Sequence, residues 1–265
     1  MDEFENLLRT IHKILHIQCT NYKEGYIKRR LASRMNSRRI GSYREYREYL
    51  IAHEEEQELL RNALTINVTK FFRDPDVYEY LRTEILPPLL QKKTRLRIWS
   101  AGCSSGEEPY SYAIMLYDMT LLRKDVDWLI YATDIDPQIL KRAKEGIYEK
   151  NALEFVTESQ LRRHFIARDD GTFEIKPHIR ERIRFKHHDL MSGAPASRYL
   201  DLVSCRNVTI YFTETQKNDL ARVIHEGLVP GGYYIMGKSE FLGRGMEDFF
   251  IPIKPLHKVF QKAAA

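Results

Sequence analysis

No apolar run in the 265-residue chain approaches the roughly 20 residues needed to span a bilayer as a helix, so no direct membrane insertion is expected. The start, Met1-Asp2-Glu3-Phe4-Glu5, is acidic and carries no apolar signal core, which predicts a cytoplasmic protein. The three cysteines, Cys19, Cys103 and Cys205, lie far apart and show no C-x-x-C spacing. That argues against a metal site or a disulfide framework and for a reducing compartment. Internal repeats and low-complexity linkers are missing too. The glycine-containing stretch "SAGCSSGEEPYS", Ser100 to Ser111, matches neither G-x-G-x-x-G nor G-x-x-x-x-G-K-[ST], the usual phosphate-cradling loops. What remains is a chain with 43% hydrophobic residues, enough for one large domain or a medium domain with a smaller partner.

Charge is placed unevenly. Residues 1–50 hold eleven Lys and Arg against six Asp and Glu, a surplus of +5 that equals the formal net charge of the whole chain. The rest of the sequence balances to zero. A basic first fifth implies that this segment meets something acidic.

The first 80 or so residues read as helical. Leu7, Leu8, Ile11, Ile14 and Leu15 recur at helical spacing, and Ile27, Leu31 and Met35 form a second ridge. Arg30, Arg34 and Arg38 form a basic ridge beside it. Gly41 is expected to stop that helix, and Ser42 with Glu45 to open the next, "YREYREYLIAHEEEQELLRNAL". Near Pro87-Pro88 the texture changes. The expected organisation is a basic helical domain over 1–75, a linker over 76–94, and a second domain over 95–265. In that second domain "LRIWSAG", "WLIYATDID", "LDLVSCRNVTIYF" and "GYYIMGKSE" read as strands between helical stretches. This predicts an α/β fold with a mostly parallel sheet covered on both faces. "GTFEIKPHIRERIRFKHHDL" alternates at period two and predicts a small antiparallel subdomain at about 164–187.

In such sheets ligands bind beyond the carboxyl ends of the strands. The first strand end gives "SAGCSSGEEPYS", Ser100 to Ser111, a small-residue turn followed by two glutamates. A helix N-terminus favours anions. Glu107 and Glu108 would fill that positive end from within and leave a poor cradle for polyphosphate. The glycines still let a ligand approach the backbone closely. The second strand ends in Asp134-Ile135-Asp136-Pro137, where Asp136-Pro137 supplies a helix start and leaves Asp134 for a ribose diol. A third ends near His188-Asp189-Leu190, and the next gives Cys205-Arg206-Asn207. The ligand implied is a nucleoside without phosphates and with positive charge, which S-adenosylmethionine fits. For the two glutamates, helix capping and ligand contact remain equal readings on spacing alone.

Two further clusters are ambiguous by spacing. "INVTKFFRD", Ile66 to Asp74, sets Asn67, Thr69 and Arg73 around Phe71-Phe72 as either a pocket wall or an apolar plug. In "CRNVTIYF", Tyr211 falls one turn beyond Asn207, either facing the same cleft or filling the core.

Taken in order, "NVTKFFRD", "WSAGCSSGEEPYS", "ATDIDPQILKRAKEGIY", "CRNVTIYF" and "LVPGGYYIMGKSE" resemble the CheR family, bacterial methyltransferases that methylate glutamates of chemotaxis receptors with S-adenosylmethionine. The resemblance implies an all-helical N-terminal domain and a class I methyltransferase domain with a small β-subdomain. It implies cofactor contacts from Asn67, Thr69, Arg73, Gly102, Glu108, Asp134, Asp189, Leu190, Arg206 and Asn207. Asp189 stands where members often carry Asn. Arg73 and Tyr211 match positions placed near the methyl group. Some members dock on a receptor C-terminal pentapeptide through a Gly-x-Gly loop. The matching stretch here, Ala167 to Thr172, lacks it, so no tight tether is expected. Recognition of the acidic cytoplasmic receptor helices then falls to Arg30, Arg34 and Arg38, with recruitment to membrane receptor arrays. The rival readings are a nucleic-acid methyltransferase and a non-catalytic cofactor-binding adaptor. Against the first, no Asn/Asp-Pro-Pro-aromatic motif and no Pro-Cys nucleophile pair occurs.

Overall fold

The computed structural model describes residues 2–15, 17–65, 69–123 and 125–263. The chain divides into two compact units, Met1–Asn67 with Tyr211–Gln216, and Val68–Ile210 with Lys217–Ala265.

The first unit is built from α1 (Glu3–Leu15), α2 (Glu24–Arg38), α3 (Tyr43–Ala52) and α4 (Glu54–Leu64). Leu7, Ile11, Leu15, Ile27, Leu31 and Met35 are buried together with Tyr46, Leu50 and Leu60. The helical ridges of the sequence thus become one core. The boundaries differ from expectation in two places. α2 is stopped by Arg39 rather than by Gly41: Arg39 turns left-handed at φ 56 and its amide donates to Asn36. Ser42 does open α3, accepting from the Glu45 amide at 3.2 Å. The single helix expected from Tyr43 onward breaks at His53, which is extended at φ −128. Its ring stacks on Tyr49 at 3.9 Å, and Glu54, Glu55 and Glu56 open α4, where the helix dipole favours acids.

The second unit begins with α5 (Pro75–Tyr80), a π-helical turn at Leu81–Ile85, and α6 (Leu86–Lys92). Of the linker expected over 76–94, residues 76–92 are therefore helical. Val77, Tyr78, Leu81, Ile85, Leu86 and Leu90 are buried in this unit's core. Pro87 and Pro88 supply no amide protons, and the widened turn lies just before them. Then follow β1 (Arg95–Ala101), α7 (Glu107–Thr120), β2 (Asp127–Asp134), α8 (Pro137–Glu145), β3 (Ile147–Tyr148), α9 (Glu158–His164), β4 (Phe165–Ala167), β5 (Phe173–Ile175), α10 (Pro177–Arg180) and β6 (Ile183–His187). β7 (Leu200–Cys205), α11 (Glu214–Gly227), β8 (Leu228–Met236), β9 (Phe250–Lys254) and β10 (Val259–Lys262) complete the chain. Most of α11 lies in the second unit.

The large sheet has the order β6-β2-β1-β7-β8-β10-β9. β6, β2, β1, β7 and β8 are parallel, and β10 and β9 close one edge antiparallel. The chain runs outward from β1 through β2 to β6 and then returns to β7 on β1's other side. The switch point therefore lies between β1 and β7, and beyond their carboxyl ends is where open α/β sheets bind ligands. The small antiparallel sheet has the order β3-β5-β4. It differs from the insert expected at 164–187. β3 joins it from outside that range. β6 leaves it to pair in parallel with β2, Ile130 opposite Ile183. The period-two pattern runs on across the short α10, so periodicity alone could not separate the two sheets.

Candidate functional site

The loop after β1 is folded by its own backbone. Gly102, Ser104 and Gly106 have φ of 75, 49 and 97, and the amides of Gly102 and Cys103 both donate to the Thr133 carbonyl at 2.8 Å. Gly102 also leaves no room for a side chain. A Cβ there would sit 2.5 Å from Val208 Cγ2, in the loop after β7. Gly102 thus lets the two loops flanking the switch point close on one another.

Asp134, at the end of β2, accepts from the Ser104 amide at 2.8 Å and from the Asp136 amide at 3.0 Å. Asp136 caps α8, as its sequence position suggested, by accepting from Gln138 and Ile139. Asp134 is therefore not left idle by that cap. One of its oxygens ties β2 to the glycine loop.

The two glutamates separate clearly. Glu107 is buried and its carboxylate accepts from Ser105 Oγ at 2.7 Å. Glu108 turns toward the ends of β1 and β7, accepting from Ser100 Oγ at 2.7 Å and lying 3.6 Å from an Arg206 guanidinium nitrogen. Neither carboxylate caps α7, which starts from Gly106.

Arg206 fastens this corner. Its buried guanidinium donates to the Arg73 carbonyl at 2.8 Å and to Asp74 Oδ2 at 2.6 Å, and it lies over the Tyr78 ring at 5.4 Å. The loop it grips is bent, with Phe72 at φ 52 and Asp74 at φ 62 on either side of Arg73. A second tie, Phe72 amide to Ser111 Oγ at 2.8 Å, fixes that loop to α7. The arrangement gives Arg206 the work of holding Glu108 and the Arg73 loop in register.

Asn207 follows in the left-handed region at φ 63. Asp189 spends one oxygen on the Met191 amide at 2.8 Å, closing its own turn, and Leu190 beside it is buried. Thr69 lines a cavity of about 550 Å³ with Lys70, Ser105, Glu107, Arg142 and Tyr148. Asn67 lies outside the described residues. Tyr211 belongs to the first unit, where its ring meets Tyr26 at 4.4 Å and its carbonyl accepts from the Lys23 amide at 2.9 Å.

The basic ridge of α2 holds an unexpected partner. Glu56 is fully buried and accepts from Arg34 at 2.9 and 2.7 Å, from Arg38 at 2.7 Å and from Tyr46 at 2.8 Å. Burial opposes its ionisation, but these hydrogen bonds outweigh it and hold the carboxyl below its ordinary range. Arg34 and Arg38 thus have a structural duty, and the trio keeps one net positive charge. Arg30 is half-buried over the Tyr26 ring at 5.4 Å, whereas Arg29 and Arg39 are exposed. The sequence shows Glu56 only as one of three consecutive glutamates, with no sign of its burial.

Burial pushes the Glu108 carboxyl up against the opposing Arg206, and burial pushes Asp134 up against the amides of Asp136 and Ser104. The Cys103 thiol between them is driven well up, by burial first and then by Asp134 and Glu108. Two buried acids with incomplete compensation suit a ligand that brings hydroxyl donors and positive charge. S-adenosylmethionine, with a ribose diol, an ammonium and a sulfonium, fits that donor set; Asp134 and Glu108 are the residues that would hold it. This sheet order and this donor set fit a class I, S-adenosylmethionine-dependent methyltransferase. Residues 67–258 match the family model for the CheR methyltransferase SAM binding domain, and residues 2–65 match that for its all-alpha domain. The chain belongs to the CheR methyltransferase family.

Relatives agree in extent. A chemotaxis protein methyltransferase of Listeria innocua is 37% identical over 233 residues, 88% of this chain and 87% of that protein. One of Borreliella burgdorferi is 33% identical over 261 residues, 95% and 92% of the two chains. The chain also spans 25% of a 104.1 kDa protein of Rhodobacter capsulatus, at 34% identity over 247 residues. Among solved structures, a glycopeptide N-methyltransferase with S-adenosylhomocysteine aligns at 13% identity and a TM-score of 0.38, covering 64% of this chain and 49% of that one.

Proposed function

We propose that this methyltransferase esterifies glutamate side chains of chemotaxis receptors. The observation that carries the reading is the pair of carboxylates, Glu108 held by Ser100 of β1 and Asp134 at the end of β2, at the switch point of a CheR-family chain. The relatives' name, chemotaxis protein methyltransferase, supplies the substrate class.

Bound S-adenosylmethionine would supply an electrophilic methyl on a sulfonium, with the neutral thioether S-adenosylhomocysteine as the leaving group. A free glutamate has a pKa of about 4.3, so its carboxylate is already the nucleophile at pH 7 and no strong base is required. The protein's tasks are alignment and exclusion of water, and alignment alone is worth several kcal/mol, up to about 7–11 in ideal cases. Arg73 orients the incoming carboxylate by two-point hydrogen bonding. The Arg206 clamp on the Arg73 carbonyl and on Asp74 supports this role by fixing the loop that carries it. For Tyr211, whose ring meets Tyr26 within the first unit, a role near the methyl rests on the family resemblance alone. Asn67, Thr69, Asn207, Asp189 and Leu190 complete the cofactor contacts.

The first unit selects the substrate. Its surplus charge, with Arg30 and the exposed Arg29 and Arg39 on or beside α2, suits the acidic cytoplasmic helices of a receptor and places the enzyme at receptor arrays. The absent Gly-x-Gly pattern in Ala167–Thr172 favours docking without a pentapeptide tether. The test uses methyl-labelled cofactor with a receptor cytoplasmic fragment, and RNA as the competing substrate. Carboxyl methyl esters release volatile methanol in alkali. Alkali-stable label, or label in the RNA, would overturn the reading.

A further inference from the structure

Glu240 sits four residues past β8, in the "GKSE" end of a motif to which the sequence assigns no role. It is 2% exposed. Its carboxylate is filled from four directions. One oxygen accepts from the amides of Asn207 at 2.7 Å and Gly237 at 2.6 Å. The other accepts from the amide of Thr209 at 2.6 Å and from its hydroxyl at 2.9 Å.

These bonds act on the loop after β7. Asn207 stands at φ 63, in the left-handed region that asparagine adopts more readily than other non-glycine residues. The Asn207 and Thr209 amides, which bracket Val208, are both pinned to Glu240. Val208 is the residue that closes on Gly102. Gly237 is shaped for the same purpose, since a Cβ there would lie 2.6 Å from the Glu240 oxygen and 2.8 Å from the Asn207 nitrogen. A carboxylate is suited to this task because it accepts at both oxygens. All four donors are neutral, so the buried charge is balanced by oriented dipoles rather than by a cation.

We infer that Glu240 is a positioning residue for the cofactor crevice: it sets the left-handed turn at Asn207 and, through Val208, the register of the β7 loop against the glycine loop. This rests on the reading that Asn207 and the Gly102 loop contact the cofactor. Glu240 acts through them and is not itself a catalytic residue.

The test is Glu240→Gln. The shape is kept, but the amide nitrogen opposes two of the four donors. S-adenosylhomocysteine binding is measured by calorimetry on the full chain, beside Ile224→Ala or another core variant with a matched fall in melting temperature. The expected result is a weakening of 10-fold or more in Glu240→Gln and wild-type affinity in the control. The KM for cofactor should rise while that for the receptor fragment stays put. Should Glu240→Gln fail to fold, Gly237→Ala crowds the same carboxylate and should give the same loss. If Glu240→Gln binds normally while Asn207→Ala binds poorly, the positioning role is refuted and the cofactor reading stands. If Asn207→Ala binds normally, the cofactor reading of the loop is refuted first.

Discussion

Gly102→Ala is the change that most sharply tests how the crevice is assembled. At φ 75 an alanine pays for the left-handed backbone, about 1–2 kcal/mol. Its Cβ would also meet Val208 Cγ2 at 2.5 Å, well inside contact, and relief of that overlap costs about 1–3 kcal/mol more. The expected loss is therefore about 2–5 kcal/mol, or roughly 4–20 °C in the melting temperature of a unit of this size. Val208→Ala removes the obstacle. Val208 is half-buried, so alone it should cost only about 1 kcal/mol. In that background Gly102→Ala should cost only its backbone share, which leaves a favourable coupling of about 1–3 kcal/mol. The assay is thermal unfolding of the four proteins, following the transition of the second unit, because two units need not melt together. S-adenosylhomocysteine titrations on the same samples report whether the loops still form the crevice. Strict additivity would refute the close approach of the two loops.

Other consequences are equally specific. Glu56→Gln should destabilise the first unit by about 3 kcal/mol, since it leaves Arg34 and Arg38 facing a neutral amide; chemical denaturation of the chain checks this. Arg29→Glu should leave melting unchanged but raise the KM for receptor fragments, and that KM should also rise with salt. Arg34→Glu, by contrast, should reduce both stability and recognition. Arg206→Lys cannot grip the Arg73 carbonyl and Asp74 together, so kcat/KM should fall about 10-fold or more, read from initial rates. His164 is buried against His178 and Asp118, and burial lowers its pKa. Its neutral form is the one the fold prefers, so the unfolded chain takes up the proton first as pH falls. Stability should decline from pH 7 toward 5 through this group, and His164→Gln should flatten that part of the melting profile.

Much of the site was legible because local chemistry carried it. Strand, small-residue turn and helix at Ser100–Ser111 needed no tertiary information, nor did the Asp136-Pro137 helix start. The parts that escaped depend on distant partners. Glu56 looks like solvated charge until Arg34, Arg38 and Tyr46 close over it. Glu240 looks like the tail of a strand motif until its carboxylate meets Asn207 and Thr209, 33 and 31 residues earlier in the chain. The break at His53 carries no glycine or proline to announce it. β6 reads as part of a local hairpin because its alternation matches its sequence neighbours, yet its partner is β2. The choice between Glu107 and Glu108 was undecided by spacing, and the structure separates them through Ser105 on one side and Ser100 with Arg206 on the other.

In the proposed function, Glu108 would receive the cationic amino-acid tail of the cofactor and Asp134 would serve the nucleoside. This division is tested most directly by calorimetry of Glu108→Gln with two ligands, S-adenosylhomocysteine and 5′-methylthioadenosine, which lacks the tail. A hydrogen bond to a charged group is worth about 1.5–3 kcal/mol, so S-adenosylhomocysteine should bind roughly 10- to 100-fold more weakly. 5′-Methylthioadenosine should bind as it does to the wild type. Equal losses for both ligands, or no loss for either, would contradict the account.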